Sequence, residues 1–182
     1  MASQKQFFPA VGEAVKDSVS TAVFSPCRKW RYVLTREWDT TKSACAFIGL
    51  NPSTADETTD DNTVRRCINF AKLWGYGKLV MLNIFAYRST DPNGLYSVDD
   101  PVGKENDFWI EKMAKECDVV VGAWGNHGAF RGRCKEVLDL LWRKSGLTLM
   151  VLGVTGEHQP KHPLYVKKDL KPVSYSNAIS KV

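Results

Sequence analysis

Four short stretches of this 182-residue sequence place an amide, an imidazole or both at a turn: Gly49-Leu50-Asn51-Pro52-Ser53, Asn83-Ile84-Phe85-Ala86-Tyr87-Arg88, Trp124-Gly125-Asn126-His127-Gly128 and His162-Pro163-Leu164-Tyr165. An Asn side chain holds a carbonyl acceptor and an NH2 donor in one plane, which suits a flat ligand that presents an adjacent donor and acceptor. Asn83 interrupts an apolar run, where an amide left without partners costs roughly 1–3 kcal/mol. It therefore either stitches neighbouring loops together or reads a planar ligand. Asn51, before Pro52, is either a turn former bonded to backbone amides or a member of a site. His127, between Asn126 and Gly128, is either an ordinary loop residue or a polar group of the same site. His158 and His162 stand four apart, a metal spacing on a helix, but Pro160 and Pro163 forbid a helix there. Asp56, Glu57, Asp60 and Asp61 form a carboxylate cluster that either caps a helix and faces solvent or holds Mg²⁺. H-E-x-x-H, the Walker loop, G-x-G-x-x-G and G-x-S-x-G are all absent, so zinc-protease, P-loop, dinucleotide and serine-hydrolase chemistry lack their usual sequence marks.

Each of these stretches follows an apolar run short enough to be a strand: Ala44 to Leu50, Leu79 to Phe85, Val119 to Trp124 and Leu147 to Val154. Between the runs lie segments with helical spacing, at about Asn62 to Trp74, Gly103 to Glu116 and Gly132 to Lys144. Asp60 or Asp61 offers an N-cap to the first, and Gly75 a stop. Alternating strands and helices predict an α/β fold, a three-layer sandwich around a central, mainly parallel four-stranded sheet. Val23 to Trp38 reads as an N-terminal antiparallel addition, with Tyr32 and Leu34 alternating against Arg31 and Thr35. Residues 1–20 are weakly patterned and are expected to be a mobile or loosely docked arm, and residues 21–182 a single domain. In open α/β sheets ligands gather beyond the carboxyl ends of the strands, so the four loops are expected to converge on one pocket.

Composition narrows the function classes. With 43% hydrophobic and 25% charged residues the chain is ordinary globular protein, not a disordered or collagen-like one. No apolar run approaches the roughly 20 residues of a bilayer span, and the N-terminus lacks a signal-peptide core, so an intracellular, cytoplasmic protein without membrane contact is expected. Five widely spaced cysteines without a C-x-x-C pair are expected to be reduced, mostly buried thiols. The net charge is +5, and residues 129–182 alone carry ten Lys/Arg against four Asp/Glu. That bias permits contact with a polyanion without requiring it.

Taken in order, the four loops resemble the uracil-DNA glycosylase superfamily: a strand followed by a G-x-[ND]-P turn, a strand ending in Asn, a strand running into a small-residue loop, and a last strand followed by His-Pro. The likeness covers about residues 44–170. More narrowly, Ala22-Val23-Phe24-Ser25-Pro26-Cys27, Leu50-Asn51-Pro52-Ser53-Thr54-Ala55-Asp56, Trp74-Gly75-Tyr76-Gly77, Asn83-Ile84-Phe85-Ala86-Tyr87-Arg88 and His162-Pro163-Leu164-Tyr165 resemble the family named domain of unknown function 1643, found in bacteria and phages.

The superfamily resemblance implies roles for particular residues. Asn51 falls where the glycosylases orient the attacking water, and Asn there is similar to the mismatch-specific branch. Ser53 stands where uracil-specific enzymes carry a Tyr that excludes a 5-methyl group. Asn83 matches the amide that reads the pyrimidine edge, with Phe85 or Trp124 as stacking face and His127 beside it. His162 matches the His that donates to the carbonyl oxygen of the departing base. Leu164 and Tyr165 fall near the wedge that fills the gap left by a flipped nucleotide, with Arg88, Lys161, Lys167 and Lys168 on the flanking phosphates. Leu164 stands where the glycosylase pattern carries Ser.

The implied activity is hydrolysis of the N-glycosidic bond of a modified or mispaired pyrimidine in DNA, double- or single-stranded, without cofactor or metal. Two other classes fit the same residues. One is a non-catalytic reader of modified bases, nucleotides or RNA; the other is an enzyme on a small phosphorylated or nucleoside substrate, assisted by a metal at residues 56–61.

Overall fold

The computed structural model describes residues 19–181. In chain order the strands are β1 (Val19–Phe24), β2 (Arg31–Glu37), β3 (Ala44–Gly49), β4 (Lys78–Asn83), β5 (Val119–Gly122), β6 (Met150–Val151) and β7 (Val173–Ser174). The helices are α1 (Asn62–Leu73) between β3 and β4, α2 (Asn106–Lys115) between β4 and β5, α3 (Arg133–Asp139) after β5 and α4 (Tyr175–Ile179) after β7. One more turn, π-helical, continues α3 over Leu140–Lys144.

Period-two alternation builds a core on each side of the sheet. In β3, Cys45 and Phe47 point to one face and Ala46 and Ile48 to the other, and all are buried. The first face is covered by α1, through Val64, Cys67, Phe70 and Ala71. Phe47 stacks against Trp74 with ring centroids 5.7 Å apart, and Phe70 lies 5.3 Å from the same indole. The second face is covered by α2 and α3, through Ile110, Met113, Ala114 and Val137, with Ala178 and Ile179 of α4 at its margin. Aromatic rings buried in this way each contribute about 1.5–3 kcal/mol, and their stacking fixes the rotation of α1 on the sheet.

The sheet is mixed and larger than the four strands expected. Its order is β1-β2-β4-β3-β5-β6-β7. The parallel group β4-β3-β5-β6 forms the centre, β1 and β2 extend one edge antiparallel, and β7 closes the other antiparallel to β6. The segment read as one antiparallel addition is a hairpin of two strands. Its expected alternation fails in β2, where Arg31 through Arg36 are all buried, because β2 lies between β1 and β4 and is covered on both faces. The last apolar run is also cut short. Only Met150–Val151 pairs as strand, and from Gly153 the chain folds back on itself, with Thr155 N–H donating to the Gln159 carbonyl and Lys161 N–H to that of Gly153. Of the expected arm, residues 1–18 lie outside the described residues, while Val19 and Ser20 open β1. Among the described residues no helix is long and apolar enough to cross a membrane. All five cysteines are free, four of them buried and Cys27 exposed.

Candidate functional site

Strand order places the crevice. The chain leaves β3 through α1 on one face and joins β4 on one side, whereas it leaves β5 through α3 on the other face and continues to β6 on the opposite side. Two loops that depart in opposite directions leave a gap at the carboxyl ends of β3 and β5. A cavity of about 620 Å³ occupies this region. Asn51, Ser53, Asn83 and Trp124 line it, together with His127, Lys161, His162 and Tyr165. Residues separated by more than a hundred positions thus share one concave wall.

Asn83, the last residue of β4, is 3% exposed. Its amide nitrogen is buried without a hydrogen-bond partner among the described residues, although most buried polar groups in folded proteins are paired. Asn106, fully buried at the start of α2, donates through Nδ2 to the carbonyls of Asn83 and Ile84 at 3.0 and 3.1 Å. The backbone of Asn83 is therefore pinned while its side chain is left unspent. A Cβ at Gly49 would lie 2.9 Å from Asn83 Oδ1, so a side chain there would have to displace the amide.

Asn51 donates from Nδ2 to the carbonyls of Pro52 and Ser89 at 3.1 and 2.9 Å. Two carbonyl partners fix the orientation of the amide, which leaves Oδ1 as its acceptor. The loops after β3 and β4 run side by side here, Phe85 N–H donating to the Leu50 carbonyl and Ser89 N–H to that of Pro52, each at 2.9 Å.

His162 caps the turn Pro163–Tyr165, its Nδ1 accepting from Leu164 N–H at 3.3 Å. In the neutral ring that contact puts the proton on Nε2, which is then a donor. Burial holds the His162 pKa below the ordinary 6.5, with Asp61 opposing the shift, so the ring is neutral at pH 7. Arg66 of α1 donates to the carbonyls of Pro163 and Val166 at 3.2 and 2.6 Å, tying this turn to the helix. Trp124 is buried and donates from Nε1 to Gln159 at 3.0 Å. Its ring lies so close to Gly128 that a Cβ there would fall 2.1 Å from Cδ1. His127 Nδ1 and the Tyr96 hydroxyl are 2.6 Å apart.

Other expected site residues stand elsewhere. Phe85 is fully buried against Phe130, centroids 5.8 Å apart, and is not on the cavity wall. Arg88 lies over the Phe24 ring and donates to the Arg28 carbonyl. Leu164 is 44% and Tyr165 83% exposed; only Tyr165 borders the cavity, packed against His162. Lys167 and Lys168 are exposed outside the lining. Each carboxylate of the acidic cluster has a structural partner. Asp56 accepts from the Thr58 and Thr59 amides, Glu57 pairs with Arg28, Asp60 pairs with Arg36, and Asp61 caps α1 by accepting from Val64 N–H.

Two further charged residues stand on the wall: Asp61, read from the sequence as a helix cap or metal ligand, and Arg31, which the sequence did not assign to a site. Arg31 is 2% exposed. Burial lowers its pKa to about 10, Asp61 acting in the opposite sense and Arg88 and Arg36 adding to the lowering. Its Nη1 donates to the Ala55 carbonyl at 2.7 Å, and its Nε is buried with no partner among the described residues. In the sequence it passes for the outward residue of an edge strand. In the fold it is the first residue of an inner strand, since β2 lies between β1 and β4.

Residues 31–164 match the family described as protein of unknown function (DUF1643). No curated protein and no solved structure matches the chain.

Proposed function

The chain belongs to the DUF1643 family, and since membership names no activity, we propose one from the site: the cavity receives a modified or mispaired pyrimidine extruded from DNA, and the protein hydrolyses its N-glycosidic bond. The observation that carries this reading is the unpartnered amide of Asn83, buried on the wall of a cavity that also holds Asn51 and His162. A pyrimidine edge offers an N–H and a carbonyl side by side, the complement of one amide. The order of the loop motifs, similar to that of the uracil-DNA glycosylases, supports the same reading. Ser53 on the wall leaves room for a 5-substituent.

In the proposed reaction the C1′–N1 bond breaks and its electron pair leaves with the base. His162 Nε2–H donates to a carbonyl oxygen of the base as negative charge develops there. Water adds through its oxygen to the anomeric carbon, held by Asn51 Oδ1, and releases its proton to solvent. Asn51 is not a base, so turnover depends on a base that departs readily. A non-catalytic reader of modified bases is the second reading. It is favoured by the commitment of the Asn51 NH2 to two carbonyls, which leaves an acceptor for water but nothing to deprotonate it.

The test is release of free base from DNA carrying uracil, a thymine mismatch or 5-hydroxymethyluracil. Release above that of the Asn51→Ala, His162→Ala double variant is expected. Selective binding with no such release would leave the reader and remove the hydrolase.

A further inference from the structure

Three arginines are almost fully buried among the described residues, and they are not equivalent. Arg36 pairs with Asp60 at 2.8 Å. Arg133 pairs with Asp107 and with Glu136, the latter at 3.0 Å. Among the described residues Arg31 forms no ion pair, and its Nε has no hydrogen-bond partner. An unpaired guanidinium withdrawn from water is costly, and it persists where something else supplies the counter-charge. Arg31 is also the one of the three that borders the cavity. The nearby acid on that wall, Asp61, spends Oδ1 on the Val64 amide at 2.8 Å and makes no ion pair with it.

We propose that the cavity carries a phosphate subsite centred on Arg31, so that its ligand is a phosphorylated pyrimidine nucleotide rather than a bare base. The subsite rests on the base-binding reading only for the pyrimidine half. A guanidinium fork matches two phosphate oxygens. Thr63 and Val64 bring the first turn of the twelve-residue helix α1 to the same wall, where its positive dipole end adds to the field of Arg31. Lys161 supplies a second cation on the lining. The volume of about 620 Å³ falls within the roughly 300–1,000 Å³ of small-molecule sites and exceeds what one flat ring fills.

The phosphate is either that of a free mononucleotide or that of a strand, and the experiment separates the two. Melting of the full chain is followed with inorganic phosphate against chloride at matched ionic strength. Calorimetric titration then compares thymidine, thymidine 5′-monophosphate and single-stranded oligothymidylate. Phosphate is expected to raise the melting temperature, and the monophosphate to bind about tenfold or more tightly than the nucleoside. Both effects disappear in Arg31→Gln. Asp61→Asn keeps a good helix cap but removes the negative charge from the wall, and binds phosphate more tightly.

Equal affinity for thymidine and its monophosphate, or a preference that survives Arg31→Gln, overturns the subsite and leaves base binding intact. Phosphate binding that needs Arg31, with no affinity for thymidine, upholds the subsite and removes the base reading. If Arg31→Gln does not fold, unchanged phosphate affinity in Asp61→Asn overturns the subsite. Displacement of phosphate by oligothymidylate through Arg31 assigns it to a strand; displacement by the monophosphate alone assigns it to a free nucleotide.

Discussion

His162 shows how much one buried imidazole decides. Its pKa is held below 6.5 by burial, so the folded chain binds its proton less readily than the unfolded chain does. Its contribution to stability is therefore complete above pH 6.5 and is lost as the pH falls from there through the folded-state value. The same titration acts on the site, because protonation gives Nδ1 a hydrogen that conflicts with Leu164 N–H, the donor it accepts from. Base release or base binding is expected to fall on the acid side, with a midpoint below 6.5. A pH profile of wild type beside His162→Gln checks this; an acid limb that survives in the variant assigns the titration to another group. That His162 would stand near the carboxyl ends of the strands was legible from His-Pro after an apolar run, and it does line the cavity. Its neutral state was not legible, since desolvation depends on neighbours brought from α1.

At the scale of the element, β3, β4 and α1 set the geometry of the wall. Gly49 and Asn83 are cross-strand partners in parallel β3 and β4, and the missing side chain of one makes space for the amide of the other. Gly49→Ala puts a methyl group 2.9 Å from Asn83 Oδ1. Overpacking of this kind costs about 1–3 kcal/mol, and here the amide is the group that must move. The expected result is a lower melting temperature together with loss of discrimination among pyrimidines. A variant that melts as wild type and keeps its selectivity shows that the amide has slack. The strands and helices were readable because their periods are local. The shortness of β6 was not, because the fold-back from Gly153 is held by Gly125 N–H donating to the Pro160 carbonyl at 2.8 Å, a contact between distant loops.

Across the whole molecule, charge is the property most open to measurement. Lys167 and Lys168 stand exposed beyond the cavity, in the basic third of the sequence. If the ligand is a strand, affinity falls with salt, and each phosphate contact removed reduces the slope of log K against log salt by about one. Lys167→Ala with Lys168→Ala is expected to flatten that slope and to weaken all sequences alike. An unchanged slope places the strand elsewhere or leaves a free nucleotide as ligand.

From the order of its residues alone, this chain determined an α/β layering, the positions of α1, α2 and α3 and the four loops that would meet, because periodicity and capping act within a few residues of one another. The tertiary structure decided the rest: a sheet of seven strands rather than four, Phe85 withdrawn into the core, Asp61 and Arg31 on the wall. Whether a cation is paired or orphaned depends on which carboxylates the fold brings within about 4 Å, and no spacing along the chain encodes that distance.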